Sequence, residues 1–180
     1  MNTTSTLAEL AVAHPAASRV FQRFGLDYCC GGRRPLEDVC RSKGLDAASV
    51  LEAIKEEEKT VDLPRWDRAP LPELIDFIVS RYHEGLRREL PALIALAARV
   101  EERHGDKPSC PRGLRALLES MQATVLDHLA KEEQVLFPMI VAGYGSRAAA
   151  PVRVMEEEHD DHGRNLQHVR LLTNNLTAPD

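Results

Sequence analysis

Leu117, Met121, Val125, His128, Glu132 and Val135 follow one another in steps of three and four, so a single apolar helical stripe contains both an imidazole and a carboxylate. This stripe restricts the fold more than any other stretch of the chain. An ionised carboxylate packed unpaired against apolar side chains costs several kcal/mol or more, so Glu132 needs a proton, a cation or a metal facing it. His128 and Glu132 lie four residues apart and can address one centre. Two plainer arrangements fit the same residues: a buried His–Glu hydrogen bond, or a register that leaves Glu132 exposed beside Lys131 and Glu133.

Two further segments bear on that choice. Ile75, Val79, Tyr82, Leu86 and Leu90 make an apolar stripe with His83 on its edge, and Val152, Met155, His159, Leu166 and Val169 make another with His159 near its middle. Long helices are predicted over 71–104, 111–140 and 148–176, with Pro91 bending the first locally. Three antiparallel helices can bring His83, His128 and His159 to one level, an arrangement that helical bundles use to hold iron or manganese. Zinc fits too, although no thiolate lies on these helices to favour it. Glu158 and Asp160 are either partners of the histidines or solvated charges, and His162 is a further ambiguous candidate. His14, His104 and His168 read as peripheral.

Upstream, alternating β-branched runs are absent and Ala, Leu, Glu and Arg dominate, so the whole chain reads as all-α. Short helices are predicted over 4–13, 15–24, 35–43 and 46–59, separated by Pro and Gly breakers, with Asp46 as an N-cap. The expected organisation is a small helical module over 1–60, a proline-bearing linker over 61–70 and a helical bundle over 71–180. A net charge of -5 offers no basic face for nucleic acid. No apolar run reaches membrane-spanning length and "MNTTSTLAEL" lacks a signal-peptide pattern, so a cytoplasmic protein without a membrane partner is expected.

The module holds one more conspicuous stretch, "LDYCCGGRR", in a chain with four cysteines. Zinc-ligand and thioredoxin-type cysteine pairs are spaced by two residues, whereas Cys29 and Cys30 are adjacent. A disulfide between neighbours is strained and labile. The stretch therefore reads either as two available thiols on a glycine-shaped loop or as a helix-ending turn with incidental cysteines.

Taken together, "FGLDYCCGG", "YHEGLRRELPALIALAARVEERHGDKP", "HLAKEEQVLFPMI", "MEEEHDDHG" and "LLTNN" resemble the RIC (repair of iron centres) proteins along nearly the whole chain. The resemblance implies a hemerythrin-like antiparallel bundle behind a short N-terminal module. It implies iron, as a di-iron centre, with His83, His128, Glu132 and His159 as ligands and Cys29 and Cys30 as signature thiols. It also implies iron-sulfur proteins damaged by nitric oxide or oxidants as partners. That family's last helix carries a second histidine–glutamate pair which this sequence does not show, so an incomplete bundle, weaker iron binding and a homodimer are expected. Two other functions fit the same residues: a sensor or binder of dioxygen or nitric oxide, and nitric oxide reduction at the same metals.

Overall fold

The computed structural model describes residues 1–28, 31–60 and 64–178. The candidate thiols Cys29 and Cys30, and part of the expected linker, lie outside the described residues. The chain divides into two compact units, Met1–Ala69 and a second from Pro70 onward.

The first unit is built from α1 (Leu7–Ala13), α2 (Ala17–Arg23), α3 (Leu36–Lys43) and α4 (Ala47–Thr60). Local chemistry sets the helix starts. Thr6 Oγ1 accepts the Glu9 N–H at 3.2 Å and the Glu9 carboxylate accepts the Thr6 N–H at 2.9 Å, so α1 begins at Leu7 rather than further upstream. Asp46 accepts the N–H groups of Ala48 and Ser49 and thereby caps α4. Each helix is too short to persist alone, and burial holds them together. Leu7, Val20, Phe21, Leu36, Val50 and Ile54 are fully buried in one cluster, to which Cys40 also belongs.

That cluster fixes the chain on both sides of the cysteine pair. Gly25 ends α2 at a φ of 64°, and the Leu26 N–H returns to the Phe21 carbonyl at 2.8 Å. Beyond the pair, the Gly32 and Arg34 carbonyls accept the N–H groups of Ala8 and Leu7, two of the donors that α1 itself leaves without partners. The glycines here answer to space. A Cβ on Gly32 would lie 2.3 Å from the Tyr28 carbonyl oxygen, and one on Gly31 2.7 Å from that of Asp27.

The second unit runs α5 (Leu71–Ile78), α6 (Glu84–His104), α7 (Leu114–Lys131), α8 (Phe137–Val141) and α9 (Ala149–Leu172). A π-helical turn, Val79–His83, joins α5 to α6, and another, Glu132–Leu136, joins α7 to α8. α6 continues through Pro91 to His104. α9 ends four residues short of the predicted 176 because Asn174, Asn175 and Leu176 adopt left-handed φ values of 46°, 58° and 63°.

The π turns change which residues face inward. Each inserts a wider turn into a regular helix, so every face after it is rotated relative to the 3.6-residue repeat. The stripe expected through Tyr82 and Leu86 is displaced: both are exposed and His83, expected at its edge, is buried, while Leu90 is buried as expected. On the next rod Val135, predicted inward, is exposed, while Leu136 and Phe137 are buried. On α9, which contains no π turn, Val152 and Leu166 of the third stripe are also exposed, leaving Met155 as its buried member.

Two apolar clusters result. One joins Leu136, Phe137, Ala148 and Met155 to Ile75 and Val79; the other joins Ala97, Leu118 and Met121 to Ile94 and Val169. Along α5–α6 and α9 the chain passes from the first cluster to the second, and along α7–α8 it passes back, as antiparallel neighbours do. Each rod carries histidine between the two clusters: His83 on the first, His128 on the second, and His159, followed by His162 and His168, on α9.

Candidate metal centre

Between those clusters lies a polar layer. His83 and His128 are 3 % and 4 % exposed, the only charged or polar residues fully buried among those described. Glu132 is half-buried, and His159 on α9 is the exposed member of the group. His159 Nε2 lies 3.0 Å from His128 Nε2, and Glu132 Oε1 lies 3.6 Å from that same nitrogen. Glu132 Oε2 turns to His83 Nε2 at 3.2 Å. Nitrogen and oxygen atoms of His128, Glu132 and His159 all fall within 4.8 Å of one another, the spacing of ligands around one cation.

The far sides of the rings show why these atoms converge. His83 Nδ1 donates to Glu133 Oε1 at 2.7 Å, and His128 Nδ1 donates to Glu158 Oε2 at 2.8 Å. Ionised carboxylates only accept, so each Nδ1 carries a proton, and in the neutral ring Nε2 presents a lone pair to the centre. Arg87 binds Glu133 at 2.9 Å and Lys131 binds Glu158 at 2.5 Å. Burial alone would raise both carboxyls, but hydrogen bonds from His83 and Arg87 hold Glu133 below the usual range, and those from Lys131 and His128 do the same for Glu158. For His159, whose side chain is partly desolvated although the residue is exposed as a whole, that desolvation and the neighbouring His128 lower the pKa, which favours the neutral, ligating form.

The π turns place these groups. The first ends on His83 and the second begins on Glu132. In a regular helix successive residues point about 100° apart. Here the consecutive carboxylates Glu132 and Glu133 address the two nitrogens of one imidazole. The His83 ring also stacks on Phe137, the first residue beyond the second π turn, with centroids 5.8 Å apart.

Of the sequence-derived candidates, His83, His128, Glu132 and His159 are thus brought together, and Glu158, left undecided between partner and solvated charge, is a histidine partner. Glu133 was missed. Its only signal was the tandem "EE", and helical periodicity assigned it to the solvated face. The donor set suits a divalent transition metal: imidazoles and a carboxylate, with tautomers fixed from outside and no thiolate among the converging atoms. Removing an outer partner of this kind costs about 10- to 100-fold in metal affinity. Glu133→Ala should weaken binding by that order, because His83 then loses its Nδ1 anchor. Titration of the metal-free protein with ferrous iron checks this, and unchanged affinity would mean that Glu133 serves only Arg87.

Comparison with known proteins gives two family matches. Residues 3–58 match the family described as Domain of Unknown function (DUF542), and residues 74–180 match the Hemerythrin HHE cation binding domain. The iron-sulfur cluster repair protein YtfE of Musicola paradisiaca is 44 % identical over 175 residues, covering 97 % of this chain and 79 % of that protein. YtfE of Yersinia pseudotuberculosis serotype O:1b is 44 % identical over 178 residues, with 97 % and 80 % covered. That of Citrobacter koseri is 43 % identical over 173 residues, with 96 % and 79 % covered.

Proposed function

This chain belongs to the iron-sulfur cluster repair proteins of the hemerythrin HHE family, and from that premise we propose that it is a cytoplasmic non-haem iron protein that restores damaged iron-sulfur clusters. The observation that carries the reading is the convergence of His128, Glu132 and His159 within 4.8 Å, with His83 3.2 Å from Glu132. His83, His128 and His159 would hold iron through their Nε2 atoms, and Glu132 through both carboxylate oxygens. Iron held there supplies an exchangeable, redox-active cation. Glu132 would contribute both carboxylate oxygens, one on the His83 side and one on the His128 side.

The protein's own groups divide the work. Glu133 and Glu158 fix the tautomers of His83 and His128. Arg87 pairs with Glu133, and Lys131 with Glu158 and Asp127, so the outer carboxylates have cationic partners, whereas Glu132 is met by the imidazoles of His83 and His128. His159 leaves the centre open on the α9 side, where a ligand exchanged with a client can enter or leave. Among the described residues no helix is long and apolar enough to cross a membrane.

Damaged iron-sulfur proteins are the proposed partners, and the adjacent thiols Cys29 and Cys30 are the proposed relay or redox sensor for the transferred iron. Thiolates are ready nucleophiles and soft metal ligands suited to brief capture. The test is recovery of activity by an apo or nitrosylated iron-sulfur protein. The wild-type chain should restore it. Replacing both cysteines by serine should leave iron content nearly unchanged and slow the recovery. Stable gas binding without recovery would instead favour a dioxygen or nitric oxide sensor.

Self-association belongs to the same reading. Leu86, Leu93 and Val100 recur every seven residues along α6 and are all exposed, an apolar stripe suited to a second copy of the chain. Mass in solution should therefore correspond to a dimer.

A further inference from the structure

We propose that His162 is a further metal ligand in this chain, an imidazole on α9 that joins His128, Glu132 and His159 in holding the cation. The inference rests on the iron-binding reading of that group and extends it to a residue whose role helical spacing left open.

The two ring nitrogens of His162 are the only buried side-chain nitrogen or oxygen atoms without a hydrogen-bond partner among the described residues. A neutral imidazole has one N–H to donate and one lone pair to fill, and burying both unanswered is costly. The other buried imidazoles of this unit are anchored: His83 on Glu133 and His128 on Glu158. His162 is not anchored in this way; it stands beside the group of His128, Glu132 and His159, outside the set of atoms that fall within 4.8 Å of one another. It follows His159 by three residues on α9, and its ring stands edge-on to that of His128 with centroids 5.3 Å apart, against 4.7 Å for His159 and His128.

The neighbouring polar groups explain why no protein partner satisfies the ring. Glu158, one turn earlier on α9, is taken by His128 and Lys131; Asp127 is taken by Lys131, and Asp161 by Arg164. The carboxylates around His162 are thus matched by fixed cations or by another imidazole, and the orphaned ring is left as the unused donor beside the centre. His162 also lines a cavity of about 380 Å³ with Thr124, Asp127, Glu158, Asp161, Arg164 and Asn165, whereas His128, Glu132 and His159 do not line it. The cavity leaves the His162 ring room to turn, as it must to bring a nitrogen toward the His128 side of the centre. His162 would bind by simple ligand exchange, an imidazole nitrogen taking the place of a water, with no change of oxidation state.

A ligand and a packing residue respond oppositely to an apolar replacement. Removing an unsatisfied buried polar group is neutral or stabilising for the fold, whereas removing a ligand weakens the metal. The metal-free full-length chain, His162→Leu, His162→Gln and His128→Ala are titrated with cobalt(II), read by its ligand-field absorption and by dissociation constant, and their metal-free thermal midpoints are recorded. His162→Leu should bind cobalt at least about 10-fold more weakly, with an altered spectrum and an equal or higher midpoint. His162→Gln, which keeps polar atoms at the position, should show the same weakening. Wild-type affinity and spectrum in both variants, with His128→Ala unable to bind, would overturn the role of His162 alone. Wild-type binding by His128→Ala would instead overturn the reading of the centre on which the role rests.

Discussion

Alanine at His128, or at Glu132, will strip the bundle of most of its iron while leaving it helical. His128 is the hub of the centre: its Nε2 lies 3.0 Å from His159 and 3.6 Å from Glu132, and its ring touches that of His162. Glu132 links the His83 and His128 sides and supplies the charge that imidazoles lack. Loss of either therefore removes a donor and separates the remaining ones, which exceeds the 10- to 100-fold loss typical of an outer partner. Alanine has the highest helix propensity, so neither variant breaks its helix for local reasons. Glu132→Ala also removes a partly buried carboxylate, which limits any cost to the metal-free fold. Metal analysis after dialysis, alongside far-ultraviolet circular dichroism, checks both statements. Full iron retention in the two variants would remove His128 and Glu132 from the ligand set.

The converging histidines and Glu132 were legible in the sequence because a buried imidazole or carboxylate interrupts an apolar stripe, and such an interruption needs a chemical reason. His128 and Glu132 keep the spacing of a regular helix and were readable together. His83 was harder to place. A 3.6-residue repeat puts it on the edge of its stripe, and the wide turn Val79–His83 moves it to the interior while Tyr82 and Leu86 move outward. Nothing in the "VSRYH" segment announces that turn, because a π turn owes its stability to what it positions rather than to local propensity. Glu133 stayed hidden for the same reason. The short N-terminal helices were legible through their breakers and the Asp46 cap, whereas the anchoring of the loop onto α1 depends on backbone donors that no side-chain pattern reveals.

Phe21→Ala will unfold the N-terminal unit and abolish cluster repair while leaving the iron in place. Phe21 is fully buried at the centre of the first unit's core and is its largest wholly enclosed side chain. Truncating a buried phenylalanine costs about 3–5 kcal/mol. A unit of this length has roughly 3–9 kcal/mol of stability to lose, by the usual 0.05–0.15 kcal/mol per residue. The substitution therefore takes most or all of it. The damage also falls where function needs order, since the Leu26 N–H is bonded to the Phe21 carbonyl and the Tyr28 ring lies 5.8 Å from the Phe21 ring, so the approach to Cys29 and Cys30 is built on this residue. The proposed metal ligands, in contrast, belong to a unit with apolar clusters of its own. Protease digestion should release the second unit from the variant with its iron, and the repair assay should show no recovery. If the variant resists protease in its first 60 residues, the core assignment fails; if it is digested there yet repairs clusters at the wild-type rate, the N-terminal unit and its thiols have no part in the reaction.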